Sequence, residues 1–169
     1  RKGDIRVEPA ALSKSRMFDL ESRLMLFYTG TNRLASEVAS SVIGNIPRTR
    51  ATLLKIREQV DEAHSLISGS GDLDDLGRLL DKGWKLKRQL SDAVSNACID
   101  GIYEKALKHG ALGGKLLGAG GAGFMVFYVP IEKQDEVRNA LAEHLHISFK
   151  FERRGSVVTD HEEAWRRNG

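Results

Sequence analysis

Apolar positions along the chain follow two different periods. Ile5, Arg6, Val7 and Glu8, ahead of Pro9, alternate apolar and polar and predict a short half-buried strand. Leu24, Met25, Leu26, Phe27 and Tyr28, inside the stretch 23–29, are apolar on both faces and predict a central or covered strand. Thr29 to Arg33 then reads as a turn in which Thr31 or Asn32 caps a helix. That helix carries Leu34, Val38, Val42 and Ile46 at helical spacing, and Pro47 marks its end. A second helix, about 50–68, places Leu53, Ile56, Val60, Ala63 and Ile67 on one stripe before Ser68, Gly69, Ser70 and Gly71 break it. The third helix runs from Asp72 to about Leu90, and the short Gly/Ser connection predicts an antiparallel hairpin between the two. Ser91 or Asp92 is expected to cap a fourth helix carrying Val94, Ala97, Ile102 and Ala106, which stops at His109 and Gly110.

Between Gly110 and Gly123 the pattern changes character. Glycines crowd around one charge, Lys115, and each costs about 0.5–1 kcal/mol of backbone entropy relative to alanine in a helix or strand. The stretch therefore reads as a loop ahead of a buried strand, Phe124 to Val129, closed by Pro130. Two uses of the glycines are open: tight turns and close packing, or a loop whose amides face an anion; their density around a lysine favours the second. The spacing is not that of a Walker loop, because Lys115 is followed by Leu116 and precedes the main cluster. A Rossmann fingerprint is excluded too, since the glycines come before the strand. A fifth helix is expected over about 132–144, and Ile147 to Glu152 alternates as a half-exposed strand. Residues 1–155 form one domain in this reading, and 156–169 a polar tail. Four strands and five helices predict an α+β fold, an antiparallel sheet covered on one face by helices.

Composition narrows the function classes. With 41% apolar and 29% charged residues over 169, the chain is of ordinary globular type. Cys98 is the single cysteine and falls in an apolar helical pattern, where a buried, inert thiol is expected. No charged-then-apolar leader and no long apolar run is visible, so a cytoplasmic protein without membrane contact is expected. The net charge of +3 suits an anionic ligand but is too small and too interspersed for a nucleic-acid surface. The five histidines have no zinc spacing, so no metal site is expected from them.

On the third helix, Trp84, Lys87, Arg88 and Ser91 share one face, about 120° from the seam of Leu79, Gly83, Leu86 and Leu90. A tryptophan beside cations can wall a sugar or phosphate ester; it can also cap the core edge while the cations are solvated. These segments together resemble the C-terminal half of the GHMP kinase superfamily. The glycine stretch from Gly110 to Phe124 looks like that superfamily's third motif. Thr29, Gly30 and Arg33 look like the T-G-x-x-R segment, and Trp84, Lys87, Arg88, Leu90 and Ser91 the W-x-x-K-[K/R]-x-L-S segment, of bacterial kinases of phosphorylated heptoses.

The resemblance covers about residues 5–155 and implies a ferredoxin-like four-stranded antiparallel sheet with helices on one face and an added helical hairpin. It implies transfer of the ATP γ-phosphoryl group to a hydroxyl of a sugar or sugar phosphate, with a heptose 7-phosphate as the expected acceptor, and with Mg²⁺. Lys115, Gly118, Ala119, Gly120, Gly121 and Gly123 are then expected beside the phosphates, and Arg33, Trp84, Lys87 and Arg88 at the sugar phosphate. Ala122 departs from the commoner glycine, and Val157 stands where an arginine is expected. The superfamily's P-x-x-x-G-L-G-S-S-[A/S] phosphate loop and its acidic catalytic residue belong to an N-terminal half and have no counterpart here. No catalytic residue is therefore assigned, ATP and Mg²⁺ are expected mainly on that half, and the half itself is the expected partner. The competing reading is a non-catalytic ferredoxin-like module that uses the loop for an anion or for assembly.

Overall fold

The computed structural model describes residues 12–30 and 34–152. The chain order is α1 (Lys14–Ser22), β1 (Leu24–Tyr28), α2 (Ala35–Ser68), α3 (Asp74–Arg88), α4 (Ala97–Lys108), β2 (Gly113–Leu116), β3 (Phe124–Tyr128), a 3-10 turn (Ile131–Lys133), α5 (Gln134–Ala140) and β4 (His146–Ile147). The strands lie in the order β2-β3-β1-β4, and every adjacent pair is antiparallel. This is the expected α+β, ferredoxin-like sheet, with the α2–α3 hairpin inserted between β1 and α4.

β1 and β3 are central, as their apolar runs require. Met25 pairs with Phe127 and Phe27 with Met125, so these four buried side chains share one face. Ile99, Ile102 and Ala106 of α4, with Val137 and Leu141 at α5, close over that face in the main core. A smaller core at the end where β1 begins and β3 ends gathers Leu20 of α1, Leu73 and Leu76, and Tyr128.

Several boundaries differ from the periodic reading, each for a local reason. Pro47 does not end a helix: α2 runs unbroken through it. The missing proline N–H leaves the Ile43 carbonyl without its helical donor, and Ile43 is exposed, so water can satisfy it. The fourth helix begins four or five residues late because Asn96, in extended conformation, caps it by accepting from Ile99 N at 3.1 Å. Upstream, the Val94 carbonyl accepts from Gly121 N, a bond that takes the place of a helical one. Helix α1, capped by Ser13, was not marked by periodicity, since it buries only Leu20. The last strand is limited to His146 and Ile147. The stretch at 5–8 and the polar tail lie outside the described residues.

Part of the glycine segment is itself a strand. Gly113, Gly114, Lys115 and Leu116 pair with Tyr128, Phe127, Val126 and Met125, and the cost of glycine in a strand is offset by contact. A Cβ on Gly113 would lie 2.0 Å from the Gly77 carbonyl and 2.6 Å from Asp81 N, so only glycine lets α3 approach β2 backbone to backbone. Cys98 is exposed, against expectation, because α4 buries Ile99, Ile102, Tyr103 and Ala106 and leaves Cys98 off that stripe.

Candidate functional site: the glycine loop and its anchors

Residues 117–123 connect β2 to β3 by a route no ordinary hairpin takes. Gly118, Gly120, Gly121 and Gly123 all have positive φ, from 73° to 129°. Gly120 is the most constrained, since a Cβ there would also sit 2.8 Å from the Val94 carbonyl. Three side chains from three other elements hold the loop by its carbonyls. The Lys87 ammonium donates to the Gly118 carbonyl at 2.7 Å and, more weakly, to that of Leu116 at 3.4 Å. Asn96 Nδ2 donates to the Gly121 carbonyl at 3.1 Å. Thr29 Oγ1 donates to the Gly123 carbonyl at 2.9 Å, and the Thr29 N–H reaches the same oxygen at 2.9 Å.

With these carbonyls held, several of the loop's own amides are left without a protein acceptor. Gly121 N is bonded to Val94, and Gly123 N lies 3.1 Å from Thr29 Oγ1. The N–H groups of Gly118, Ala119, Gly120 and Ala122 donate to nothing among the described residues. Unpaired amides on a backbone that alternates between positive and negative φ are the ingredients of an anion-binding nest. Lys115, half-buried on the neighbouring strand, makes no hydrogen bond or ion pair among the described residues. Lys87 lies close enough to it that burial first, and the Lys115 charge second, pull the Lys87 pKa down to about 8. Two ammonium groups beside unpaired amides, neither in an ion pair among the described residues, leave the site electrostatically suited to an anion.

The other residues singled out in the sequence take separate places. Trp84 is 1% exposed and belongs to the main core, its ring 6.2 Å from that of Tyr103. It is not on a solvent face because α3 lies against β2 on that side, where Trp84 joins the main core beside Tyr103 of α4. The Lys87 ammonium stands 6.0 Å from the indole centre, at the edge of cation–π range. Arg88 turns away, pairing with Asp100 at 2.8 Å in a cluster that Ser95 joins. The structure thus brings Lys87 to the glycine loop and Lys115, but not Arg88; Arg33 lies outside the described residues. The two anchors that periodicity did not reveal, Thr29 and Asn96, carry readable signals: one opens the T-G segment, the other is a helix-capping residue type before an apolar stripe.

Fold and loop define an α+β domain that presents a glycine-rich, cation-flanked amide cradle at the edge of an antiparallel sheet. The chain belongs to the family described as GHMP kinases C terminal, which matches residues 56–147. It is 28% identical over 153 residues to the D-glycero-alpha-D-manno-heptose 7-phosphate kinase of Campylobacter jejuni, covering 88% of this chain and 45% of that protein. It is 29% identical over 150 residues to the bifunctional fucokinase/GDP-fucose pyrophosphorylase of Arabidopsis thaliana, covering 86% of this chain and 14% of that one. Among solved structures, L. major mevalonate kinase in complex with R-mevalonate superposes with a TM-score of 0.61 at 26% identity, over 71% of this chain and 37% of that one. The chain therefore spans less than half the length of these relatives.

Proposed function

We propose that this chain is the C-terminal half of an ATP-dependent sugar kinase that phosphorylates a hydroxyl of a sugar phosphate, of the heptose 7-phosphate kind. One observation carries the reading: the glycine loop holds its carbonyls on Lys87, Asn96 and Thr29 and leaves the amides of Gly118, Ala119, Gly120 and Ala122 open beside Lys115. Likeness to the Campylobacter heptose 7-phosphate kinase supports the acceptor. Phosphoryl transfer depends on positioning and on charge stabilisation, and this half supplies both at one place. The amides and Lys115 bind the oxygens of the transferring group, Lys87 fixes the loop from beneath, and Arg33 engages the acceptor phosphate. The acceptor oxygen bonds to phosphorus as the bond to the leaving diphosphate oxygen breaks; the base that takes the hydroxyl proton belongs to the N-terminal half.

The open amides and Lys115 fit phosphate oxygens of ATP. For Mg²⁺ no group of three or more His, Cys, Asp or Glu side chains able to hold it occurs among the described residues. The reading places the enzyme in the cytoplasm, with residues 1–155 as the domain and 156–169 as a tail.

A chimera tests this. The N-terminal half of the Campylobacter jejuni relative, joined to this chain, is expected to release ADP in a heptose 7-phosphate-dependent manner, while either half alone is expected to stay at background. A folded chimera that binds ATP but transfers to no sugar or sugar phosphate overturns the proposal in favour of a non-catalytic anion-binding module.

A further inference from the structure

The hairpin of α2 and α3 encloses an apolar groove that meets the glycine-loop site only at Lys87 and Lys115. Asn45 reaches the Leu90 carbonyl at 2.9 Å, and Gln59 lies beside Gly83, so the helices run antiparallel with Leu53 near Lys87. Between them lies a groove of about 390 Å³. Its walls are Leu53, Ile56 and Val60 of α2 and Leu76, Leu79 and Leu80 of α3, with Lys87 and Lys115 beside one end. The volume falls within the range of small-molecule sites.

A sugar is a poor occupant. Its hydroxyls would leave water for a wall of leucines on which Gln59 is the one uncharged amide side chain, too few partners for a ring of hydroxyls, at a cost for each one left unpaired. A plain alkane would leave the two adjacent ammonium groups without a counter-charge. Only a molecule with an apolar body and an anionic head answers both halves of the lining. From Leu53 to Ala63 the α2 wall extends about 15 Å, long enough for a medium-length hydrocarbon chain.

We propose that the α2–α3 groove binds a single-chain alkyl or acyl phosphate, its tail along the leucines and its head between Lys87 and Lys115. The head then competes with the Gly118 carbonyl for the Lys87 ammonium, which now sits 2.7 Å from that oxygen. Occupancy of the groove therefore loosens the glycine loop at its first anchor, and the site is a regulatory one. This goes beyond the kinase reading and does not depend on it, because binding and loop coupling are measured without turnover.

The probe is decyl phosphate, kept below its micelle concentration and titrated into the 169-residue chain carrying Trp165→Phe, so that Trp84 at the groove is the sole indole. Saturable, one-to-one quenching or shift of Trp84 emission is expected. Octyl phosphate should bind about tenfold more weakly, as two fewer buried methylenes require. Lys87→Met should weaken decyl phosphate about tenfold or more. Val60→Glu, at a position 61% exposed on the groove rim, should abolish binding without disturbing the core. In ¹⁵N spectra, decyl phosphate should move the Gly118 and Ala119 amides, and should fail to do so in Lys87→Met. Equal affinity for decanol, equal affinity for inorganic phosphate, or no saturable binding each overturns the proposal. Binding that survives Lys87→Met and leaves the loop amides still overturns the coupling and makes the groove a passive apolar slot.

Discussion

The glycines of 113–114 and those of 118–123 sit a few residues apart and do opposite work. In β2 the backbone is an ordinary edge strand, and Gly113 is there because a Cβ would occupy the space of the Gly77 carbonyl. In the loop the backbone is far from ordinary, with four positive φ angles, while at Gly118 and Gly123 a Cβ would meet nothing within 4 Å. The first pair is demanded by the neighbours, the second group by the chain's own torsions, with Gly120 held by both. A substitution in β2 should therefore be felt as lost stability, and one in the loop as lost geometry at the amide cradle.

The largest effect is expected at the contact. Gly113→Ala should cost about 3 kcal/mol and lower the melting temperature by roughly 10 °C, because neither α3 nor β2 can withdraw without opening the main core. Thermal melts decide it, and an unchanged melting temperature would break the packing account of β2. Gly121→Val, at φ 77°, should cost about 1–2 kcal/mol of stability yet reduce turnover of the chimera about a hundredfold, since the loop amides are displaced. Losses of stability and turnover in the same proportion would return the loop to a structural role.

A subtler test uses pH. Lys87 has a folded pKa of about 8 against an ordinary 10.5, so between those values the unfolded chain holds more protons and stability rises with pH. Below pH 8 both states are protonated and the contribution is flat. Burial raises the pKa of Tyr103 and of Tyr128, whose own contributions fall away only as pH passes about 10, so the comparison belongs between pH 8 and 9.5. Denaturant midpoints should climb across that window in the parent chain and stay level in Lys87→Met. The smallest effect is a control: Gly101 lies exposed in α4 with open space around its missing Cβ, so Gly101→Ala should add about 0.5–1 kcal/mol. A loss there would mean that glycine sites in this fold are not sorted by contact and torsion alone.

The central strands and the hairpin were legible because their signal is local: Leu24 to Tyr28 and Phe124 to Tyr128 carry β-forming side chains, and the leucines of α3 repeat at helical spacing. What periodicity misplaced was decided across the fold. Gly113 and Gly114 look like loop until the approach of α3 is known. Trp84 looks like a binding wall until Tyr103 and the sheet are seen to occupy its side. Pro47 looks like a stop until the exposure of Ile43 shows how little its missing bond costs there. At the site, the glycines and Lys115 were readable by type, while the anchoring by Thr29 and Asn96 depends on which carbonyls the folded loop turns toward them.

The bond between Thr29 and Gly123 also bears on the order in which the molecule assembles. Its partners are separated by 94 residues, and the β1–β3 ladder it terminates spans a similar distance in the chain. Closing so long a loop is entropically slow, and nothing local rewards it beforehand. Pairing of β2 with β3, by contrast, needs only the short connection 117–123. The cradle therefore takes its working shape late, after the helical hairpin and the β2–β3 pair have formed, when β1 docks and Thr29, just past its end, closes over Gly123. Until that moment the chain can be largely helical and compact and still have no site.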